Sequence, residues 1–289
     1  MNPQLSKLCR RLVATIAMLM LASAWGVAAT NPLNNPRGLA VDSKGNLWVA
    51  NSGDNNVIVF NPSYNRITAD TITQGISIPT GVAFDPLGNL WVANYGAGNG
   101  GPDGSITEYT GTKQGPGVII NGIQAPNAIA IDGLGDIWVQ NDYVNVTIYI
   151  DQIRNPGYFA QTYNPPGLSS VYGIAAAGPW MVFGGNGGID ILATSSYFLE
   201  GANPNEQGQG NEGFAVASGA DGMVYYSNFD NTVSTCNVST VSCSGFLTLP
   251  FTAAGIAVDN ARTRVYFSNE NGNEILVYST KGVLLHTID

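Results

Sequence analysis

The chain has 289 residues, of which 44% are hydrophobic and only 11% are charged, and its formal net charge is −9. The apolar content is sufficient to bury a core, and an acidic chain with 11 Lys and Arg argues against binding to nucleic acid or to an anionic membrane surface. The single histidine, His286, excludes a zinc site built from several imidazoles.

Residues 1–29 have the pattern of a secretory signal peptide. Three basic residues, Lys7, Arg10 and Arg11, precede an apolar run over 12–25, and small residues at 27–29 fit a cleavage motif. An uncleaved anchor is the alternative, because the apolar stretch reaches the lower limit of a membrane-spanning helix. We predict cleavage, export to the periplasm or the medium, and a domain over residues 30–289 that is not attached to the membrane.

The cysteines agree with export. Cys9 lies inside the predicted signal peptide, which leaves Cys236 and Cys243 as an even pair. In an oxidising compartment this pair predicts a disulfide within a local hairpin. A metal or redox role is disfavoured, because the chain has no Cys-x-x-Cys motif and no histidine near the pair.

A repeated unit fills residues 36–289. The segments 36–51, 79–94 and 126–141 share the pattern seen in PRGLAVDSKGNLWVAN, and weaker copies begin near residues 172, 212 and 254. Short β-rich runs separated by turn residues predict strands at 38–41, 47–50, 57–60 and 67–72 in the first unit. Four antiparallel strands per unit predict an all-β, six-bladed β-propeller. The order of strands is the same in the first unit and the last, so we expect no long strand exchange at ring closure.

The first two units resemble the NHL repeat, whose pattern is Pro-x-Gly-apolar-Ala-x-Asp-x-x-Gly-Asn-apolar-aromatic-Val-Ala-Asp/Asn, and the resemblance extends over residues 36–289. It implies a six-bladed propeller, a fold that carries enzymes, sensors and scaffolds. Distant similarity to virginiamycin B lyase implies a catalytic histidine in the central region, whereas His286 is expected on an outer strand. Similarity to gluconolactonase and regucalcin propellers implies a divalent cation near the channel mouth.

The residue before the first glycine of each unit, or its equivalent, is expected near the channel axis. These positions differ chemically within otherwise similar motifs, which is typical of a site added to a repeating scaffold. The predicted channel-mouth residues are Arg37, Thr80, Asn127, Tyr172 and Glu212, with Ala254 in the sixth unit. Arg37 and Glu212 could bind a ligand together or form a salt bridge that closes the channel.

Two further sets of residues recur. A ring of asparagines follows the second strands and either caps the turns or forms a polar rim for a ligand: Asn51, Asn94, Asn141, Asn228 and Asn269, with Gly184 in the fourth unit. An aromatic stripe at Trp48, Trp91, Trp138, Trp180, Tyr225 and Tyr266 is expected in the core between blades. The repeated Asp42, Asp85, Asp132 and Asp259 are expected to form Asx turns on the opposite face.

The sequence contains no recognisable catalytic constellation. We therefore predict an exported, monomeric, non-enzymatic module that binds a peptide, glycan or protein through the loop-rich channel mouth. No cofactor is predicted, although a Ca²⁺ site is an open alternative. The competing function is a metal-assisted hydrolase or lactonase of the gluconolactonase type, with Asn127 and Glu212 as candidate ligands.

Overall fold

A computed structural model of the protein describes residues 31–96, 103–111, 115–141, 145–149, 160–165, 168–186, 188–194 and 213–289. The chain separates into two units, Met1–Pro32 and Leu33–Asp289. The predicted signal peptide lies outside the described residues. None of the described segments forms a helix with the length and hydrophobicity needed to cross a bilayer.

The unit Leu33–Asp289 is built from six antiparallel sheets, which confirms the predicted all-β propeller. Each sheet is one blade, with its first strand innermost. Blades one to three contain β1 (Pro36–Val41), β2 (Leu47–Asn51) and β3 (Asn56–Phe60); β4 (Pro79–Phe84), β5 (Leu90–Asn94), β6 (Gly104–Tyr109) and β7 (Ile119–Ile123); β8 (Pro126–Ile131), β9 (Ile137–Asn141), β10 (Asn145–Tyr149) and β11 (Ala160–Tyr163). Blades four to six contain β12 (Val171–Ala177), β13 (Trp180–Gly185) and β14 (Gly188–Ala193); β15 (Gly213–Ser218), β16 (Met223–Asn228), β17 (Thr232–Asn237) and β18 (Ser242–Thr248); β19 (Gly255–Asp259), β20 (Arg264–Asn269), β21 (Glu274–Ser279) and β22 (Leu284–Ile288).

Blade one departs from the prediction of four strands. The expected strand at 67–72 is wrong: a 3-10 turn occupies Thr68–Asp70, and only isolated bridges join Val57 to Ile72 and Phe60 to Arg66. The cause is local, because the N–H groups of Asp70 and Thr71 donate back to Ile67 and Thr68 and cannot extend the ladder. In blade four, the segment where a fourth strand was expected lies outside the described residues.

The core is divided into six apolar clusters, one between each pair of neighbouring blades. Strand β2 shows how this arises, since alternate side chains point to opposite faces of a strand. Leu47 and Val49 pack against blade six, whereas Trp48 packs against blade two. Both faces of the blade are therefore buried, which explains why the middle of the repeat is apolar throughout.

The ring closes without strand exchange, as predicted. All four strands of blade six come from one continuous segment, and the Ser268 hydroxyl donates to the Arg37 carbonyl of blade one at 2.7 Å. Comparable hydroxyl-to-carbonyl bonds link other neighbouring blades: Ser52 to Pro79, Thr80 to Pro126, and Ser227 to Ala253. Hydroxyl groups near the inner strands thus hold adjacent blades together.

The repeated aspartates form the predicted Asx turns, and three of the four also bind a tryptophan. One carboxylate oxygen of Asp85 accepts the N–H groups of Leu87 and Asn89, and the other accepts the Asn89 side chain and Trp91 Nε1. Asp42 and Asp132 bind Trp48 and Trp138 in the same way. Asp259, whose blade has no tryptophan, instead pairs with Arg262.

The same turn shifts two aspartate pKa values in opposite directions. Burial raises the pKa of Asp132, and the hydrogen bonds from Trp138 and from the turn offset this only in part. Burial also acts to raise the pKa of Asp42, but hydrogen bonds from Trp48, Asn46 and Lys44 outweigh it, so the pKa lies below its usual value.

The aromatic stripe lies in the core, as predicted, for five of its six members; Tyr225 and Tyr266 are 6% and 1% exposed. Trp48, Trp91 and Trp138 are 3%, 1% and 0% exposed. The prediction for the fourth blade is wrong by one or two positions. Gly185 of β13 pairs with Val171 in the same way that Asn51 pairs with Pro36 in blade one. Consequently Gly185, and not Gly184, ends the strand; Val182 occupies the tryptophan position, and Trp180 lies at the beginning of β13.

The predicted disulfide is present in blade five. Cys236 on β17 and Cys243 on β18 lie directly opposite each other and are joined through their sulfur atoms. The bond closes a short loop, so it stabilises this hairpin rather than the whole ring.

Gln140 of β9 is a buried polar residue at a position where blades one and two have Ala50 and Ala93. Neither polar atom of its side chain has a hydrogen-bond partner in the described part of the chain. The substitution Gln140→Met keeps the volume and removes the unsatisfied amide, so we expect the free energy of unfolding to rise by about 1–2 kcal/mol. Urea unfolding measures this, with Gln74→Met, an exposed site, as the neutral control. A loss of stability in Gln140→Met would contradict the expectation.

Candidate functional site

The innermost strands surround a channel, and one cavity of about 100 Å³ lies at its mouth. Four of the predicted residues line this cavity: Arg37, Thr80, Asn127 and Tyr172. The channel below is narrowed by one aliphatic side chain from each blade: Leu39, Val82, Ile129, Ile174, Val216 and Ile256. The mouth is therefore a shallow polar and aromatic cavity above an apolar channel.

The residue predicted for the mouth position in blade five is wrong. Gly213 pairs with Asn228, and Val216 pairs with Tyr226, so Phe214 occupies the place that Arg37 has in blade one. Phe214 lines the cavity together with Ala254. Glu212, which was predicted at this position, lies outside the described residues.

Arg37 forms an ion pair with Glu270. Its Nε and Nη2 atoms donate to Glu270 Oε1 at 2.8 and 2.6 Å. Glu270 immediately follows β20 of blade six and also lines the cavity. Sequence reasoning missed this residue, although a charge directly after Asn269, at a turn expected on the mouth face, was a usable signal.

The part of the mouth formed by blades four and five is aromatic. The ring centroids of Tyr172 and Phe214 are 5.8 Å apart, and Phe229 meets them edge-to-face at 5.3 and 5.1 Å. Phe229 follows Asn228 as Glu270 follows Asn269, and its side chain is 40% exposed. We call Tyr172, Phe214 and Phe229 the aromatic trio.

The two remaining polar residues are tied to the scaffold. The hydroxyl group of Thr80 is buried and donates to the Pro126 carbonyl. The amide nitrogen of Asn127 donates to the Ala125 carbonyl at 3.1 Å. The charged pair and the aromatic trio are thus the chemically distinctive parts of the mouth.

The five rim asparagines are hydrogen-bonded to the scaffold. The side-chain oxygen atoms of Asn51 and Asn94 accept the backbone N–H groups of Asn34 and Ser77. The amide nitrogens of the other three donate within their own blades: Asn141 to Asn145, Asn228 to Thr232, and Asn269 to Glu274. The contacts of Asn141, Asn228 and Asn269 span the turn after the strand, as expected of asparagine there. Those of Asn51 and Asn94 instead hold backbone 17 residues earlier in the chain.

The described mouth residues do not fit a divalent cation. Ca²⁺ takes six to eight oxygen ligands, whereas the lining contributes one carboxylate, Glu270, which already pairs with Arg37. Across the described residues, no group of three or more His, Cys, Asp and Glu side chains could hold a metal ion. His286 lies on the outermost strand of blade six, as predicted, and stacks on Tyr64 at 4.3 Å.

Comparison with known proteins agrees with this architecture. The NHL repeat family model matches residues 33–60. A comparison with curated proteins finds no match. Virginiamycin B lyase from Staphylococcus aureus is 16% identical, with a TM-score of 0.59 over 86% of this chain and 83% of that one.

Two further solved structures are similar in fold. A gluconolactonase from Xanthomonas campestris is 14% identical, with a TM-score of 0.63 over 83% of this chain and 84% of that one. A chain of a nidogen/laminin complex is 12% identical, with a TM-score of 0.63 over 81% of this chain and 90% of that one. At these identities the likeness shows the fold alone. The first blade therefore carries an NHL repeat, and the unit Leu33–Asp289 is a six-bladed β-propeller.

Proposed function

We propose that the chain is an exported, monomeric, non-enzymatic binding module whose ligand docks at the channel mouth. One observation carries this proposal: a single cavity is lined by the Arg37–Glu270 pair and by Tyr172 and Phe214, and the exposed ring of Phe229 packs against these two aromatic residues. The equivalent positions in the other blades bear unrelated side chains, although the surrounding motif repeats. Chemical diversity confined to one face of a repeating scaffold supports ligand recognition there.

The chemistry of the lining favours binding over catalysis. Among the described lining residues, the one hydroxyl group outside an aromatic ring belongs to Thr80 and is committed to a backbone carbonyl. The one carboxylate in this described set, Glu270, is committed to Arg37. Neither arrangement presents a nucleophile next to a free base, which is what covalent or general-base catalysis requires.

Export is supported by two independent features. The pattern of residues 1–29 is that of a signal peptide, and the bond between Cys236 and Cys243 favours an oxidising compartment. The structural similarity to a chain of a nidogen/laminin complex shows that this fold also occurs in protein assemblies.

The test is to probe the purified protein with printed arrays of glycans and peptides. We expect at least one class of probe to be retained, and we expect Phe229→Ala to weaken that binding about tenfold, because one interfacial aromatic side chain contributes on the order of 1.4 kcal/mol or more. Leu87→Ala is the matched control, since Leu87 is 73% exposed and lies in the Asp85 turn on the opposite face.

Two results would contradict the proposal. One is that no probe is retained, or that a retained probe is insensitive to Phe229→Ala. The other is Ca²⁺-dependent hydrolysis of gluconolactone that is lost in Glu270→Gln, which would support the gluconolactonase-type alternative instead.

A further inference from the structure

We infer that the ligand class of the channel mouth is a neutral carbohydrate. The hydroxyl groups of a terminal sugar ring would hydrogen-bond to the Arg37–Glu270 pair, and its C–H face would pack against the aromatic trio. This inference rests on the proposed function and names the chemistry of its ligand.

The charged pair offers one donor and one acceptor side by side. Arg37 uses Nε and Nη2 on a single oxygen, Glu270 Oε1. Among the described residues, no hydrogen bond engages Arg37 Nη1 or Glu270 Oε2, and the two side chains are 31% and 24% exposed. One hydroxyl group of a sugar can accept a hydrogen bond from Arg37 Nη1 while its neighbour donates one to Glu270 Oε2, because a hydroxyl group is both a donor and an acceptor.

The neutrality of the pair selects against charged ligands. An anionic ligand would compete with Glu270 for Arg37, and a cationic ligand would compete with Arg37 for Glu270. Breaking a partly buried pair leaves one charge desolvated and unpaired, which is costly. A neutral ligand with adjacent hydroxyl groups binds both partners and leaves the existing ion pair in place.

The aromatic trio provides the apolar surface that such a ring requires. Phe229 forms T-shaped contacts with Tyr172 and Phe214, yet it remains 40% exposed. An aromatic side chain fixed by its neighbours loses little conformational freedom on binding and buries a large area. The C–H face of a sugar ring is apolar and flat, so it covers an exposed aromatic ring well.

The charged pair and the aromatic trio come from different blades of the ring. Arg37 and Glu270 come from blades one and six, and the trio comes from blades four and five. The cavity between them measures about 100 Å³, well below the roughly 300–1,000 Å³ of pockets that enclose a whole ligand. It therefore admits one terminal unit, while the rest of a glycan remains outside.

The experiment is isothermal titration calorimetry of the full protein with the methyl glycosides of glucose, galactose, mannose and N-acetylglucosamine. We expect at least one of these neutral sugars to bind, and Phe229→Ala and Glu270→Gln each to weaken that binding tenfold or more. Glucuronate and glucosamine, which are charged, should bind at least tenfold more weakly than the neutral sugar. Leu87→Ala is again the control, and Phe229→Leu replaces Phe229→Ala if circular dichroism shows that the alanine variant is unfolded.

A panel of short peptides with tyrosine, tryptophan or proline separates the two levels of the proposal. Binding of peptides but not of sugars, lost in Phe229→Ala, overturns the carbohydrate assignment and leaves the binding module intact. Binding of neither class overturns both. Sugar binding that is unchanged in both mouth variants shows that the sugar binds elsewhere and also overturns the inference.

Discussion

Replacing Asp85 by alanine should lower the free energy of unfolding by about 2–4 kcal/mol. The carboxylate accepts four hydrogen bonds, from two turn N–H groups, the Asn89 amide and Trp91 Nε1. Asp85 and Trp91 are both buried, so the indole N–H of the variant would have neither its acceptor nor water. Equilibrium unfolding in urea at neutral pH measures the loss.

Asp85→Asn serves as the matched variant. Its side-chain oxygen can still accept the N–H groups of Leu87 and Asn89, while its amide nitrogen faces another donor at Trp91. We expect the asparagine variant to lie between the native protein and Asp85→Ala in stability. A loss below about 1 kcal/mol in the alanine variant would show that these bonds contribute little beyond what water supplies.

A second large effect is expected from Gly38→Ala, at the innermost strand of blade one. A Cβ atom built on Gly38 would lie 2.6 Å from the Thr80 carbonyl oxygen and 2.7 Å from the Gly81 Cα. Both atoms belong to the backbone of blade two and cannot rotate away. We expect a destabilisation of about 2–3 kcal/mol, measured by thermal and urea unfolding.

Gly81→Ala is the control at the same repeat position in the next blade. The nearest atoms to its added Cβ are 3.1 Å away, and one of them is a methyl group of the Ile129 side chain. Blades three and five already carry Ala128 and Ala215 at this position, so the fold accepts a methyl group there. Equal losses in the two variants would mean that the approach of blade one to blade two is not rigid.

The fold was predictable because several independent features of the sequence indicate the same blade structure. Short apolar runs, turn residues and the Asp-to-Trp spacing recur in units one to three, so each unit independently indicates a blade. The predicted alignment of the repeat units was wrong where these sequence features are weaker. In blade five, both Gly213 and Ala215 are small enough to replace Gly38, and only the pairing of Gly213 with Asn228 decides between the two alignments.

Only part of the candidate site was predictable from the sequence. Arg37 could be placed near the axis, because its position within the repeat is fixed. Glu270 could not be assigned as its partner, because the two residues are 233 positions apart and belong to different units of the repeat. A repeat pattern predicts the structure of each unit, whereas pairs across the ring depend on side chains that differ between units.

Arg37 also has a mechanical role in the ring. Successive blades are joined by the polypeptide itself, whereas blade six meets blade one only through noncovalent contacts. Both the side chain and the carbonyl of Arg37 cross that seam, to Glu270 and to Ser268. A molecule that binds the Arg37–Glu270 pair would therefore act as a noncovalent cross-link between the two ends of the circle, so that occupancy of the mouth resists opening of the ring.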